Sequence, residues 1–481
     1  MLPTSLSFII FFIIIAFVYF CIPRKLQNIW LLLASYYFYA VLDARFIFLI
    51  MLSTAITYYA GLKFGNLEAS KKKKIFLILA IILNLAGLVF FKYFNFLSEA
   101  IFSILNIFNF NLSGISLKLL LPIGISFYTF QNISYLVDVY YKKIQPEKNI
   151  ITFSLYVSFF PKIINGPIER AKKLMPQFYK EHSFKYEDGK EGLKLILFGF
   201  FKKLVIADNL ANLVDVVYSN PTGFEGWYLI IATIAFGFQL YMDFSGYTDI
   251  ALGFARVLGY KLTANFNRPY FSKNPAEFWR RWHISLSVWF QDYVFIPLYM
   301  KVSRIKYLQN SSSKTKHFIS FFIALFIGEI LLGLWHGANW TFVLFGVYYA
   351  VIIFTYYSFR KYWEKINPYV QMFFTFILVF LAWVFFRADN VQDVYYFFSH
   401  MFNFEAISIR RLGIGLTEII ITFLSIFLIM AIEFLEEFFP ESQQKLFIRY
   451  KWLKFAGYMA LSLLILLFGS FNSIKFIYAQ F

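Results

Sequence analysis

The stretch "LSFIIFFIIIAFVYFCI", residues 6–22, carries no charged side chain. At 17 residues it stands at the short end of the range, about 17–25 apolar residues at about 1.5 Å each, that crosses the hydrocarbon core of a bilayer. No basic segment precedes it and no small-residue cleavage site follows it, so it reads as a retained helix and not as a signal peptide. Comparable runs recur near 26–42, 45–63, 75–97, 117–140, 150–165, 225–250, 317–336, 339–358, 369–387, 415–437 and 453–472. Inside lipid a chain must satisfy its own backbone N–H and C=O groups, and long apolar runs do so as helices. The expectation is an all-α, polytopic integral membrane protein with roughly 11–13 transmembrane helices. Two further stretches, 190–218 and 275–300, mix apolar and charged residues and read as interfacial or re-entrant helices.

Composition agrees. Of 481 residues 60% are hydrophobic and only 15% charged, with a mean hydropathy of +0.62. A soluble domain of this length needs far more polar surface. The net charge of +18 would suggest nucleic acid in a soluble protein. Here the basic residues sit in short loops between apolar runs, so a lipid bilayer and no nucleic acid is expected. Arg24, Lys25, Lys63, the run Lys71 to Lys74, Lys142 and Lys143 all fall on one side when spans are counted, while 98–116 holds Glu99 alone. By the positive-inside rule the N-terminus is outside. Lys445, Arg449, Lys451 and Lys454 precede the last span, so the final residues emerge outside as well. No linker or soluble domain interrupts the chain, which reads as one integral domain over 1–481 with a catalytic core at about 117–390 and a last helix and tail over 453–481. There is no Walker loop, no GxGxxG after a strand and no GxSxG elbow. The one cysteine, Cys21, excludes an intramolecular disulfide, and no histidine pair has i, i+4 spacing, so no metal site is expected.

Ionisable groups in apolar surroundings are costly in a bilayer and are functional candidates. His336 in "LLGLWHGANWTF", 331–342, ends a strongly apolar run, with the small residues Gly337 and Ala338 after it. It is either a proton-transfer group or a histidine held in a helix–helix hydrogen bond. In "EFWRRWHISLSVWFQDYVFIPLY", 277–299, aromatic and basic residues alternate around His283. That pattern suits either an interfacial anchor or a site where Arg280 and Arg281 meet phosphates. In "QLYMDFSGYTDIALG", 239–253, Asp243 and Asp249 line either a polar tunnel or a packed hydrogen-bond network. Glu329 lies two turns before His336, too far to touch it in a straight helix, and reads as structural. His182, His317 and His400 read as solvated.

Together these segments resemble the membrane-bound O-acyltransferase superfamily, in its bacterial branch that O-acetylates exported polysaccharides. The matching stretches run in order: "LLLASYYFYA" (31–40), "LPIGISFYTFQNISYLVDVYY" (121–141), "SFFPKIINGPIER" (158–170), "FQLYMDFSGYTDIALGF" (238–254), "NFNRPYFSKNPAEFWRRWHISLSVWFQDYVFIPLY" (265–299), "LWHGANWTF" (334–342) and "WVFFRA" (383–388). The resemblance implies helices around a catalytic tunnel, with His336 as catalytic base and His283 as the second active-site histidine. It implies donor and substrate contacts at Arg280, Arg281, Trp282, Trp335, Asn339 and Asp243. The donor would be a cytoplasmic acyl thioester, acetyl-CoA first, with no bound cofactor. The acceptor would be a cell-envelope polysaccharide: peptidoglycan first, alginate second, with D-alanylation of teichoic acid as a third reading. A separate periplasmic SGNH-type transferase would be the partner, and the cytoplasmic (inner) membrane the location, with both termini periplasmic. The ending "FIYAQF", 476–481, is similar to an FxYxxF tail in which the tyrosine, here Tyr478, carries the acyl group; the alternative is an interfacial tyrosine anchor. One departure concerns the helix after WHG, where several relatives carry another histidine and this chain has Tyr348 and Tyr349. The rival class is a non-enzymatic transporter or flippase, which would usually show two related halves; no internal repeat is visible.

Overall fold

Apolar sequence becomes helix almost throughout. The computed structural model describes residues 2–67, 70–110, 114–309, 312–404, 406–413, 415–440, 451–471 and 477, and no strand occurs among them. Seven helical stretches among the described residues are long and apolar enough to cross a membrane: Arg24–Gly65, Lys71–Ile107, Trp227–Val257, Ser313–His336, Trp340–Trp363, Pro368–Arg387 and Leu416–Phe438. Leu6–Cys21 and Trp452–Phe468 are shorter apolar helices.

Two expected spans come out differently. Over 117–140 the helix starts only at Ile125, because Gly124 before it is left-handed at φ 73°. The expected span at 150–165 is a nine-residue helix, Ile150–Ser158, which stops three residues before Pro161. Proline offers no N–H and clashes with a preceding helical turn. The mixed segment 190–218 is helical, but Phe201–Ala207 winds as a π turn between Tyr186–Phe200 and Asp208–Tyr218. Such a turn rotates side chains off the regular helical face and is frequent at functional sites.

The chain forms two compact units. One is built on Met1–Ile196 and Ala251–Thr263. Its apolar centre gathers Phe8 against Phe11, Phe38, Phe160 and Phe254, with ring centroids 5.0–6.3 Å apart. Its buried polar groups close on one another. Ser53 Oγ donates to Asn84 Oδ1 (2.7 Å) and Asn132 Nδ2 donates to Ser53 Oγ (2.8 Å), tying three helices by the interhelical hydrogen bonds that lipid favours.

The other unit is built on Leu197–Ile250 and Ala264–Ile477. The Trp227–Val257 helix is the most enclosed span: 78% of its apolar window is buried, against 22–50% in the other six. Ser313–His336 and Trp340–Trp363 form a hairpin that crosses at two glycines. A Cβ on Gly333 would lie 2.1 Å from the Phe342 carbonyl oxygen, and one on Gly346 would lie 2.4 Å from that of Glu329. Backbone therefore meets backbone, the close approach typical of small-residue interfaces in membranes.

Candidate active site

His336 is the last residue of the Ser313–His336 helix, and the turn after it is fixed by sterics. Gly337 is extended, at φ −169°, so its conformation alone does not demand glycine. Space does: a Cβ there would lie 2.0 Å from the ring of Phe342. Asn339 then caps the next helix, its Oδ1 accepting the Thr341 N–H (3.2 Å) while its Nδ2 donates to the Asp389 carbonyl (2.7 Å). The imidazole of His336 is 2% exposed. It packs against Phe386 at 4.9 Å, Phe345 at 5.7 Å and Phe342 at 6.4 Å between centroids.

His283 is held by backbone strain. It adopts φ 41°, ψ 52°, a left-handed conformation that costs a non-glycine residue on the order of 1–3 kcal/mol and persists only where surroundings impose it. Asn265 imposes it. Its carbonyl accepts the Ile284 N–H (2.9 Å) and its Oδ1 accepts the Ser285 N–H (3.1 Å), supplying the helix cap that the side chain of His283 does not. Asn265 was not singled out from the sequence. His283 is 0% exposed. Its ring lies 4.6 Å from Phe244 and 5.6 Å from Trp335. Trp335 is in turn 4.9 Å from His336, so the two histidines, 53 positions apart, share one indole as neighbour inside an aromatic enclosure.

The other expected contact residues separate. Arg280 is exposed and lines a cavity of about 250 Å³ together with Trp279, Ser287, Gln291 and Glu329. Oε2 of Glu329, read from sequence as structural, has no hydrogen-bond partner among the described residues. Arg281 instead pairs with Glu277 (2.7 Å) and Glu437 (2.9 Å). Trp282 is fully buried, 5.0 Å from Trp383 and stacked on Phe278 at 5.4 Å, as part of the core wall. Asp243 is 1% exposed and faces Lys203 Nζ at 2.6 Å; Lys203 also reaches Asp208 at 2.7 Å. Sequence reasoning missed Lys203 and Asp208, although "FKKLVIAD" (201–208) places charge in an apolar run. Asp249 pairs with Lys202 at 2.7 Å. Tyr478 lies outside the described residues. The three remaining histidines bond to protein: His182 Nε2 donates to the Gln177 carbonyl (2.9 Å), His317 pairs with Tyr299 (2.9 Å) and His400 stacks on Tyr396.

Two buried histidines, one closing a helix and one preceding another, walled by aromatic rings in a multi-span protein, suit proton transfer shielded from water. Residues 147–398 match the sequence model of the MBOAT, membrane-bound O-acyltransferase family. The chain belongs to this family. It is a multi-pass integral membrane acyltransferase. It is similar to a probable alginate O-acetylase, AlgI, of Pseudomonas aeruginosa, 35% identical over 89% of this chain and 80% of the relative. It is also similar to a peptidoglycan O-acetyltransferase of Helicobacter pylori, 32% identical over 84% of this chain and 80% of the relative. A teichoic acid D-alanyltransferase of Bacillus subtilis is 29% identical over 50% of this chain and 60% of its own length. Both histidines, the arginine-lined cavity and the Lys203 cluster fall inside the family match.

Proposed function

We propose that this acyltransferase carries acetyl from a cytoplasmic thioester, acetyl-CoA, across the membrane for O-acetylation of a cell-envelope polysaccharide. The observation that carries the proposal is the meeting of His283 and His336 at Trp335. His336 takes the proton of the attacking hydroxyl as that oxygen bonds to the thioester carbonyl carbon. The carbon–sulfur bond breaks, the proton passes from His336 to the departing thiolate, and an acetyl ester and a free thiol result. The C-terminal end of a helix carries partial negative charge, which favours the imidazolium formed on the way. His283 orients the thioester, and Arg280 holds donor phosphates at the mouth of the cavity.

The attacking hydroxyl is the phenol of Tyr478. A phenol with a pKa near 10 needs a base, and its aryl ester is a good acyl donor, which hands acetyl to the serine of a separate periplasmic SGNH-type transferase. Peptidoglycan is our first acceptor. Alginate is the second reading, favoured by the 35% identity to the alginate O-acetylase against 32% to the peptidoglycan enzyme.

The test is labelled acetyl transfer from acetyl-CoA by purified protein, followed by acetyl mapping of the wall with and without the protein. His336→Ala should lose roughly 10²–10⁴-fold in rate while still inserting. Wild-type transfer in that variant would sink the assignment of the base, and a wall with unchanged acetylation would shift the acceptor to alginate.

A further inference from the structure

The cluster of Lys203, Asp208 and Asp243 is larger than an ion pair needs. Two carboxylates, 3% and 1% exposed, share one ammonium that is itself almost fully buried. One oxygen of Asp243, Oδ1, is taken by Lys203. The other, Oδ2, accepts the backbone N–H of Ile477 at 2.7 Å. Ile477 is the residue before Tyr478. Two further contacts lead the chain toward this point along the same π turn and the helix after it: Asn209 Nδ2 donates to the Phe468 carbonyl (3.1 Å), and the Ser470 N–H donates to the Leu204 carbonyl (2.9 Å). The tail expected from sequence to emerge past the last helix is therefore bonded, at its one described residue, to a carboxylate inside the protein.

We propose that Asp243 is a positioning residue that grips the tail by its backbone and fixes where the next side chain, that of Tyr478, is presented. Lys203 aims the carboxylate, and Asp208 holds Lys203. A hydrogen bond from a neutral donor to a charged acceptor is among the stronger kinds. It is made to the main chain, so it reads position along the chain and not side-chain identity. Asp243 thereby acts on the reaction through the tail and not on the donor, a role different from the donor contact implied by resemblance. The proposal rests on the reading that Tyr478 carries the acetyl group.

The test uses the full-length protein in detergent with labelled acetyl-CoA, and measures acetyl on the tail peptide by mass spectrometry. Ile477→Pro removes the N–H without touching Asp243 or the phenol, and Ile477→Ala keeps the N–H. Ile477→Pro should slow Tyr478 acetylation roughly ten- to hundredfold, with the KM for acetyl-CoA unchanged, and Ile477→Ala should stay within about twofold. Asp243→Asn should speed hydrogen exchange in the tail peptide. If that variant does not fold, Ile477→Pro, which leaves Lys203, Asp208 and Asp243 in place, still decides. Wild-type acetylation in Ile477→Pro overturns the proposal, as does unchanged tail exchange in folded Asp243→Asn. Failure of the relay looks different: the wild-type tail carries no acetyl and Tyr478→Phe keeps full transfer to the glycan. The presentation role then falls with it, even if the exchange difference persists.

Discussion

At the scale of the residue, Gly337 makes a sharper prediction than His336. Its extended φ would suit any side chain, so Gly337→Ala tests space alone. The added Cβ would meet the Phe342 ring at 2.0–2.9 Å. Phe342 must then move, and it is stacked on the imidazole of His336. Overpacking of this kind costs about 1–3 kcal/mol, and the expected result is a lower melting temperature together with a fall of at least about tenfold in acetyl transfer. Full activity in Gly337→Ala would mean that Phe342 does not fix the histidine. The two arginines separate as well. Arg280→Ala should weaken donor binding, read as a raised KM for acetyl-CoA, whereas Arg281→Ala removes the guanidinium that Glu277 and Glu437 share, leaving Glu437 to Arg268 (3.0 Å), and should lower the melting temperature with the donor KM unchanged. Equal donor effects in both would return Arg281 to the donor site. His336 stood out in the sequence because a polar group beside Gly337 and Ala338 is conspicuous in apolar surroundings, and His283 because aromatic and basic residues alternate around it. The partner of Asp243 did not, since a π turn leaves no trace in the spacing of apolar residues, and Lys203 reads as an ordinary charge at a membrane surface.

Among elements, the hairpin of Ser313–His336 and Trp340–Trp363 depends on carbonyl-to-glycine contact. Gly346→Ala would press a methyl to 2.4 Å from the Glu329 carbonyl, while Gly457→Ala meets nothing within 4 Å. The first should lower the melting temperature in detergent, and the second should leave it unchanged or raise it, alanine being the better helix former by about 1 kcal/mol. Equal behaviour of the two would refute close backbone packing at the crossing. A pH effect belongs to the segment between Ala171–Phe178 and Tyr186–Phe200. Burial pushes the His182 imidazole below its usual value of 6.5, opposed by its bond to Gln177 and assisted by Arg24, Lys185 and Lys180. Below that value the unfolded chain takes up a proton that the folded chain resists, so stability falls as pH drops through 6.5 and recovers above it. His182→Asn should flatten that part of a melting curve plotted against pH; an unaltered slope would assign the effect elsewhere. Most spans were legible from length and hydropathy. The runs at 117–140 and 150–165 were not, because hydropathy counts Pro122, Gly124 and Pro161 as neutral positions while the backbone treats them as boundaries.

For the whole molecule, the distinction between enzyme and transporter becomes an experiment without a gradient. Purified protein in detergent should still move labelled acetyl from acetyl-CoA, since the proposed chemistry is local to His336; transport activity that needs sealed vesicles and leaves no acetyl ester would overturn the proposed reaction. The proposed relay predicts that removing a periplasmic transferase leaves acetyl on Tyr478 and abolishes acetylation of the glycan. Membrane class and family could be read before any coordinates, while the division into two units could not, because it depends on which distant segments pack together. The buried ammonium of Lys203 also bears on how the protein is made. An aspartate near the middle of a membrane helix resists insertion by about 2.5–3.5 kcal/mol, and Asp243 lies in the most enclosed span. Its counter-ion is 40 residues earlier in the chain, so the ribosome delivers the ammonium before the acid that needs it. Biogenesis in this order lets the Trp227–Val257 helix enter against a waiting partner, and a permuted gene that reversed the order would ask the insertion machinery to accept a bare charge.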